Sequence, residues 1–197
     1  MRLTGWMMVT RKASDPNLVA AAAAGDELAF AELVRVHADA VYGHALRFFG
    51  ERQAAEDATQ EVFVKVFRTI GSFDGRAAFS TWLFRVTRNV CLDMLRAGRR
   101  TPEPVDPVTL EPLSRADFAD DLVFTDALEQ ALRVLAPEDR EALGAISIFG
   151  LSYQEAADAL GIPVGTVKSR VFRARRTLAG TLLGWEGGAP GGLPQSG

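Results

Sequence analysis

Two groups of cationic side chains in this sequence could each hold the phosphates of a nucleic acid. Residues 76–100 contain six arginines and one acid, Asp93. Residues 164–176 contain five cations and no acid. The net charge of −3 conceals this zoning, because residues 101–126 carry seven acids and a single cation, Arg115. Two basic segments separated by an acidic one predict two separate contacts with a polyanion.

The second basic group lies in a helix-turn-helix pattern. Ser152 and Glu155 are spaced as a capping box, which predicts the start of a helix. Gly161 supplies the turn that follows this helix. Ala157 is small enough for two helices to approach closely, and Val167 is placed to pack back into the corner. Together these residues predict a helix-turn-helix, which is the usual scaffold for reading a DNA groove.

The second helix of this motif carries polar and aromatic side chains outside its apolar stripe. Arginine and serine can reach base edges, phenylalanine can contact a thymine methyl group, and the remaining cations can hold phosphates. The candidate contacts to duplex DNA are Thr166, Lys168, Ser169, Phe172, Arg173 and Arg176. The alternative is a solvated basic face on a helix pair that has only a structural role.

The first basic group is interleaved with aromatic residues. Arg85, Arg88 and Asn89 share one side of a predicted helix, and Trp82 lies close to them. Cations for the backbone and aromatic rings for unstacked bases are the chemistry of single-strand binding. The alternative is that the aromatic rings pack in the core and the arginines are simply solvated.

A polar stripe on the preceding predicted helix is a candidate protein contact. Asp57, Gln60 and Glu61 fall on one side of this helix, and Phe63 and Phe67 add apolar area beside them. The pattern by itself is also that of an ordinary solvent-exposed face.

Several function classes are excluded by what the sequence lacks. Cys91 is the single cysteine, and it is interpreted as a small residue in or near the core. His37 and His44 are interpreted as structural or surface residues, because further metal ligands are missing. We find no nucleophile–base set, phosphate loop or cofactor motif, so we expect no enzyme activity and no cofactor. We find no signal peptide and no apolar run long enough to span a membrane, so we expect a cytoplasmic protein without membrane insertion.

The elements that position these residues are all predicted to be helices, because the apolar residues recur with a period of 3.6 residues. We expect an all-α protein with a flexible leader over residues 1–14 and a helical domain over residues 15–100. Residues 101–121 contain four prolines, which interrupt helices, so we expect an acidic, flexible linker there. A second helical domain, which contains the helix-turn-helix, is expected over residues 122–183. Residues 184–197 are rich in glycine and proline, which predicts a disordered tail.

Three segments resemble a known family when they are taken in order. DATQEVFVKVF at 57–67, FSTWLFRVTRNVCLDMLR at 79–96 and LSYQEAADALGIPVGTVKSRVFRARRTL at 151–178 resemble sigma factors of the extracytoplasmic function (ECF) group. The resemblance covers about residues 15–183 and implies a factor that directs bacterial RNA polymerase to promoters. A stand-alone helix-turn-helix regulator is the alternative, but it leaves the arginines and Trp82 of residues 79–96 unexplained.

The resemblance also implies partners and roles for individual residues. The partners are core RNA polymerase, promoter DNA in both duplex and single-stranded form, and an anti-sigma factor. The residues implied in polymerase binding are Asp57, Gln60, Glu61 and Phe63. Those implied in recognition and melting of the −10 element are Asp74, Gly75, Arg76, Ala77, Trp82, Arg85, Arg88 and Asn89. The helix-turn-helix residues are implied to read the −35 element.

Overall fold

The computed structural model describes residues 15–97 and 132–183, and these two ranges are helical with no strand. The expected all-α class is confirmed. The helices are α1 (Pro16–Ala23), α2 (Glu27–Phe49), α3 (Arg52–Thr69), a short 3-10 helix (Ile70–Ser72), α4 (Phe79–Ala97), α5 (Pro137–Ser147), α6 (Tyr153–Leu160) and α7 (Val164–Leu183). The predicted leader, linker and tail lie outside the described residues. No helix within these ranges is long and apolar enough to cross a membrane.

Local signals in the sequence set the ends of the first helices. The Asp15 carboxylate accepts a hydrogen bond from the Asn17 amide at 2.9 Å, and Pro16 opens α1 where its missing amide hydrogen costs nothing. The Asp26 carboxylate caps α2 through the amides of its first turn. Helix α2 ends at Gly50, whose φ of 74° is a left-handed conformation that glycine adopts without strain. The helix boundaries therefore follow from residues next to them in the chain.

Helices α1 to α4 surround an apolar core. Leu33, Val41, Val62 and Leu83 are almost completely buried in it. Phe84 is also fully buried, so this aromatic ring of the first basic group has a structural role. Burying side chains of this size contributes roughly 1.5–3 kcal/mol each before the entropy cost of folding is counted. This core is what fixes the polar faces of α3 and α4 in space.

Helices α5 to α7 form a second, smaller bundle that packs directly on the first. Helix α5 lies against α2, and α6 lies against α4. The Phe149 ring is 5.4 Å from that of Phe84, and the Arg133 Nε–H donates to the Gly50 carbonyl at 2.9 Å. The sequence patterns treat the two basic groups as separate, whereas the structure joins their bundles through a continuous apolar core.

Candidate nucleic-acid interface

The helix-turn-helix forms as its local signals predict. The Ser152 hydroxyl accepts from the Glu155 amide at 3.1 Å, and the Glu155 carboxylate accepts from the Ser152 amide at 2.7 Å, so the capping box is present. Gly161 makes the turn with a φ of 68°. Ala157 and Val167 are buried on either side of the turn. These contacts fix α7 against α6 and leave one side of α7 facing solvent.

The solvent side of α7 presents the side chains that we predicted to contact duplex DNA. Lys168, Ser169, Phe172, Arg173 and Arg176 are exposed, and Thr166 is half-buried. Phe172 is 68% exposed, so its ring is accessible for contact with another molecule. The Lys168 ammonium group lies 5.9 Å from the centre of the Tyr153 ring, within reach of a cation–π interaction.

Arg173 differs from its neighbours because a buried acid orients it. Its Nη2 donates to Asp139 Oδ1 at 2.7 Å and its Nε donates to Asp139 Oδ2 at 3.1 Å. The Asp139 side chain is 9% exposed, whereas that of Arg173 is 55% exposed. Hydrogen bonding and the charge of Asp139 raise the pKa of Arg173 above its ordinary value. The guanidinium is therefore held in one orientation on the outer face of α7.

The polar stripe of α3 faces solvent, with one exception among the residues predicted for polymerase binding. Asp57, Gln60 and Glu61 are exposed, and the Asp57 carboxylate accepts from Gln53 Nε2 at 3.1 Å. Phe67 is 46% exposed beside them. Phe63, in contrast, is 3% exposed, because it packs into the core with the buried face of α3. The structure therefore removes Phe63 from this surface, and Phe67 is the aromatic residue that the stripe offers.

The loop before α4 forms one wall of a cleft. Asp74 Oδ1 accepts from the Arg76 amide at 3.1 Å, and Gly75 adopts a φ of 70° at the tip. The cleft has a volume of about 760 Å³ and is lined by residues 73–80 on one side. Helix α1 provides the other side through Pro16, Val19, Ala20 and Ala23. No sequence pattern predicts this contribution of α1, because it depends on how α1 packs against the loop.

The residues of α4 that we predicted to bind single-stranded DNA differ in their surroundings. Trp82 is half-buried and its ring lies 5.6 Å from those of Phe73 and Phe79, so it supports the base of the loop. Arg85 and Asn89 are exposed, four residues apart on the same face of α4. Asn89 lies ten residues beyond Phe79, about 15 Å along the helix axis, and it does not line the cleft.

Arg88 has a partner that the sequence did not indicate. Its Nε donates to the Glu141 carboxylate of α5, across the boundary between the two bundles. The Arg88 side chain is 27% exposed and that of Glu141 is 10% exposed. Arg88 therefore lies within an ion pair between the bundles, unlike the open positions of Arg85 and Asn89.

The two histidines and the cysteine are buried. His37 and His44 are 6% and 1% exposed, and Cys91 is completely buried. Burial raises the pKa of the Cys91 thiol to about 12, so it stays protonated and unreactive at neutral pH. No group of three or more potential metal ligands comes together within residues 15–97 and 132–183.

Comparisons with known proteins match both described parts of the chain. Residues 33–101 match the family model of Sigma-70 region 2, and residues 125–178 match that of Sigma-70, region 4. The chain is 39% identical over 176 residues to the ECF RNA polymerase sigma factor SigM of Mycobacterium tuberculosis, covering 87% of this chain and 86% of SigM. It is 35% identical over 182 residues to the ECF RNA polymerase sigma-E factor of Escherichia coli, covering 86% and 95% of the two chains.

Three further proteins, one relative and two solved structures, are similar to this chain. The chain is 41% identical to the ECF RNA polymerase sigma factor SigE of Mycolicibacterium smegmatis over 79% of its own length, and this alignment spans 63% of that relative. The structure of CnrH in complex with the cytosolic domain of CnrY matches with a TM-score of 0.60 and 27% identity, over 85% of this chain and 96% of that one. The sigma factor RpoE of Bartonella quintana, in complex with the anti-sigma factor NepR, matches with a TM-score of 0.59 and 27% identity, over 78% and 96% of the two chains.

Proposed function

Since the chain belongs to the ECF group of RNA polymerase sigma factors, we propose that it binds core RNA polymerase and directs promoter-specific transcription initiation. The observation that carries this proposal is the match of residues 33–101 and 125–178 to two sigma regions in one chain. A stand-alone helix-turn-helix regulator accounts for the second of these matches and leaves the first without a role. We further propose that the protein acts in the cytoplasm, has no catalytic chemistry of its own, and is controlled by an anti-sigma factor.

The proposed division of labour follows the charges of the described surfaces. The outer face of α7 reads the −35 element as duplex DNA, since it presents cations and the exposed ring of Phe172. The loop over residues 74–77, with Arg85 and Asn89 on α4, receives the −10 element once its strands separate. The polar stripe of α3, consisting of Asp57, Gln60 and Glu61, contacts the polymerase.

The test is reconstitution of transcription from purified components. The full chain is added to the core polymerase of its own bacterium, with a library of genomic fragments as template, and the transcripts are sequenced. We expect transcripts that start downstream of two shared sequence elements, at the separation of a −35 and a −10 element. Transcripts identical to those of core polymerase without the protein would contradict the proposed function.

We predict that Asp57→Ala combined with Gln60→Ala weakens binding to core polymerase about tenfold, as expected when interface anchors are truncated. Both side chains are exposed, so their removal leaves the core of the bundle intact. The measurement is a fluorescence titration of the labelled protein with core polymerase. The control is Gln154→Ala with Asp158→Ala, which removes the same two residue types from an exposed face of α6. Equal affinities for the test and control pairs would remove the α3 stripe from the polymerase contact.

We predict that Asp139→Asn reduces base discrimination at one position of the −35 element about fivefold, since charge-assisted hydrogen bonds of roughly 1 kcal/mol no longer orient Arg173. Arg173 keeps its own charge, so affinity for unrelated duplexes should change little. Competition between matched duplexes that differ at single positions separates these two effects. Glu138→Gln is the control, because Glu138 is an exposed acid on the same helix turn. A uniform loss of affinity across all sequences would assign Arg173 to a phosphate instead.

A further inference from the structure

Lys168 lies beside an aromatic ring instead of beside an acid. Its ammonium group is 5.9 Å from the centre of the Tyr153 ring, and it forms no ion pair within the described part of the chain. Arg173, on the same outer face of α7, is held by the carboxylate of Asp139. Two cations of this face are therefore held by partners from other helices, and the two partners differ in their chemistry.

The Tyr153 ring is held in place by its helix and by its packing. Tyr153 is the first residue of α6, directly after the N-cap residue Ser152, and the capping box of Ser152 and Glu155 fixes the backbone at this point. The ring is half-buried and packs against the apolar core. A tyrosine side chain has only two torsions, so little freedom remains to it. The position of the ring is therefore set before DNA binds.

An aromatic ring suits an ammonium group that must also bind another molecule. Lysine has three N–H donors, and a neighbouring carboxylate would accept hydrogen bonds from some of them. The face of a ring attracts the positive charge electrostatically and needs no conventional hydrogen bond. Arginine has five donors, so Arg173 can donate twice to Asp139 and still offer the others. Lys168 is therefore restrained by Tyr153 while its donors stay available.

Lys168 lies in a groove on the outer face of α7 that is open to another molecule. The groove has a volume of about 550 Å³, and its lining includes Tyr153, Phe172 and Arg175. Gly165 leaves one end of it open, because a methyl group added there would meet no atom within 4 Å. Lys168 is the fifth residue of α7, and the N-terminal residues of a recognition helix are those that contact base edges. This position favours a base as the partner of Lys168 over a phosphate.

We propose that Tyr153 is a positioning residue, which orients Lys168 toward a guanine of the −35 element. Guanine presents two acceptors, N7 and O6, in the major groove, and these match a side chain that only donates. A lysine without the ring keeps its charge but samples more rotamers, so it discriminates less between bases. The assignment rests on the proposed function, because that function gives the −35 element to α7. It adds that a residue of α6 determines part of the base preference.

The first measurement locates the base that Lys168 contacts. Holoenzyme is formed from core polymerase and the full chain, and its affinity is measured for promoters that differ at single base pairs of the −35 element. We expect Lys168→Met, which keeps an apolar stem, to lower the preference for guanine about tenfold at one position and to leave the other positions unchanged. A uniform loss of affinity across all sequences would assign Lys168 to a phosphate and overturn the proposal.

The second measurement separates the ring of Tyr153 from its hydroxyl group. We expect Tyr153→Leu to lower the guanine preference at the same position about threefold, the size expected of an exposed cation–π contact. Tyr153→Phe is the matched control, because it keeps the ring, and it should retain the wild-type preference. In the Lys168→Met background, Tyr153→Leu should have no further effect at this position.

Two controls distinguish positioning from a general effect on the fold. Circular dichroism verifies that each full-length variant is folded, and Tyr153→Met carries the test if Tyr153→Leu lowers the helicity. The −35 position that responds to Asp139→Asn is the internal control, because Asp139 orients a different cation, Arg173. The base preference at that position should be the same in Tyr153→Leu and in the wild type.

Three results with the Tyr153 variants would overturn the proposal. An unchanged guanine preference in Tyr153→Leu would show that the ring does not orient Lys168. Equal losses in Tyr153→Phe and Tyr153→Leu would assign the effect to the hydroxyl group. A loss at every −35 position would make Tyr153 a support of the fold or a phosphate contact. Each of these results leaves promoter-specific transcription by the wild-type holoenzyme intact, whereas its absence is the separate result that contradicts the proposed function.

Discussion

Ala20→Phe is expected to lower the rate of promoter opening by roughly thirtyfold, because a filled cleft can no longer capture an unstacked base worth about 2 kcal/mol. Ala20 is an exposed residue of α1 that lines the cleft opposite residues 74–77. A phenylalanine ring there occupies the cleft and leaves the loop sequence unchanged. Permanganate footprinting of the holoenzyme on a mapped promoter measures the opening.

A pre-melted template separates a defect in base capture from a defect in folding. On a promoter with an artificial bubble, the Ala20→Phe holoenzyme should recover its opening signal, because the cost of strand separation has been removed. Its discrimination at one −10 base should stay impaired. The control is Ala31→Phe, which places the same ring on an exposed position of α2 outside the cleft. Equal defects on both templates would show that the cleft merely supports the fold.

The Asn89→Ala variant tests whether Asn89 and the loop over residues 74–77 hold the same base. The resemblance groups Asn89 with residues 74–77, whereas the structure separates it from the cleft along α4. If Asn89 and the loop hold the same base, Ala20→Phe and Asn89→Ala should blur the same −10 position. If they hold neighbouring nucleotides, two different positions should lose discrimination. We expect two positions, because about 15 Å along the helix exceeds the reach of a single base.

His44 should make the free energy of unfolding fall by about 2 kcal/mol between pH 7 and pH 5, in addition to the contribution of the carboxylates. Burial, followed by the nearby charges of Arg47 and Arg88, lowers the pKa of His44 from 6.5 to about 3. Between these values the unfolded chain binds a proton that the folded protein does not, so acid favours unfolding. The contribution is complete above pH 6.5 and is lost as the pH falls toward about 3.

Urea titrations at several pH values measure this effect. His44→Leu should lack the His44 part of the pH dependence and should be more stable than the wild type at pH 5. His37→Leu, which removes the other buried histidine of α2, is the control and should retain the part due to His44. A wild-type pH dependence in His44→Leu would show that the imidazole is not held neutral between the bundles.

The parts of the fold that sequence could predict are those with local causes. Asp15, Asp26, Gly50 and Gly161 end or begin helices through contacts with residues at most a few positions away. The capping box of Ser152 and Glu155 likewise lies within a single helix turn. Helical periodicity then identified the buried face of α7, because one stripe of a helix must pack inward. These features are set by residues that are close together in the sequence, so the sequence predicts them.

The parts that escaped prediction depend on residues far apart in the chain. The partner of Arg88 is 53 residues away and that of Arg173 is 34 residues away. No period or motif relates such positions, because the packing of α5 on two bundles creates both pairs. The prediction for Phe63 is wrong for a different reason. At 100° per residue Phe63 lies about 240° around the helix from Asp57, and α3 packs on the core of the bundle with that side.

The most direct test of the central claim is a footprint of the full chain on a mapped promoter, with and without core polymerase. We predict protection of the −35 and −10 elements, together with strand opening at the −10 element, when both proteins are present. The chain without polymerase should give weak protection and no opening. Strong, sequence-specific protection by the chain without polymerase, unchanged when polymerase is added, would contradict the account and favour a stand-alone regulator.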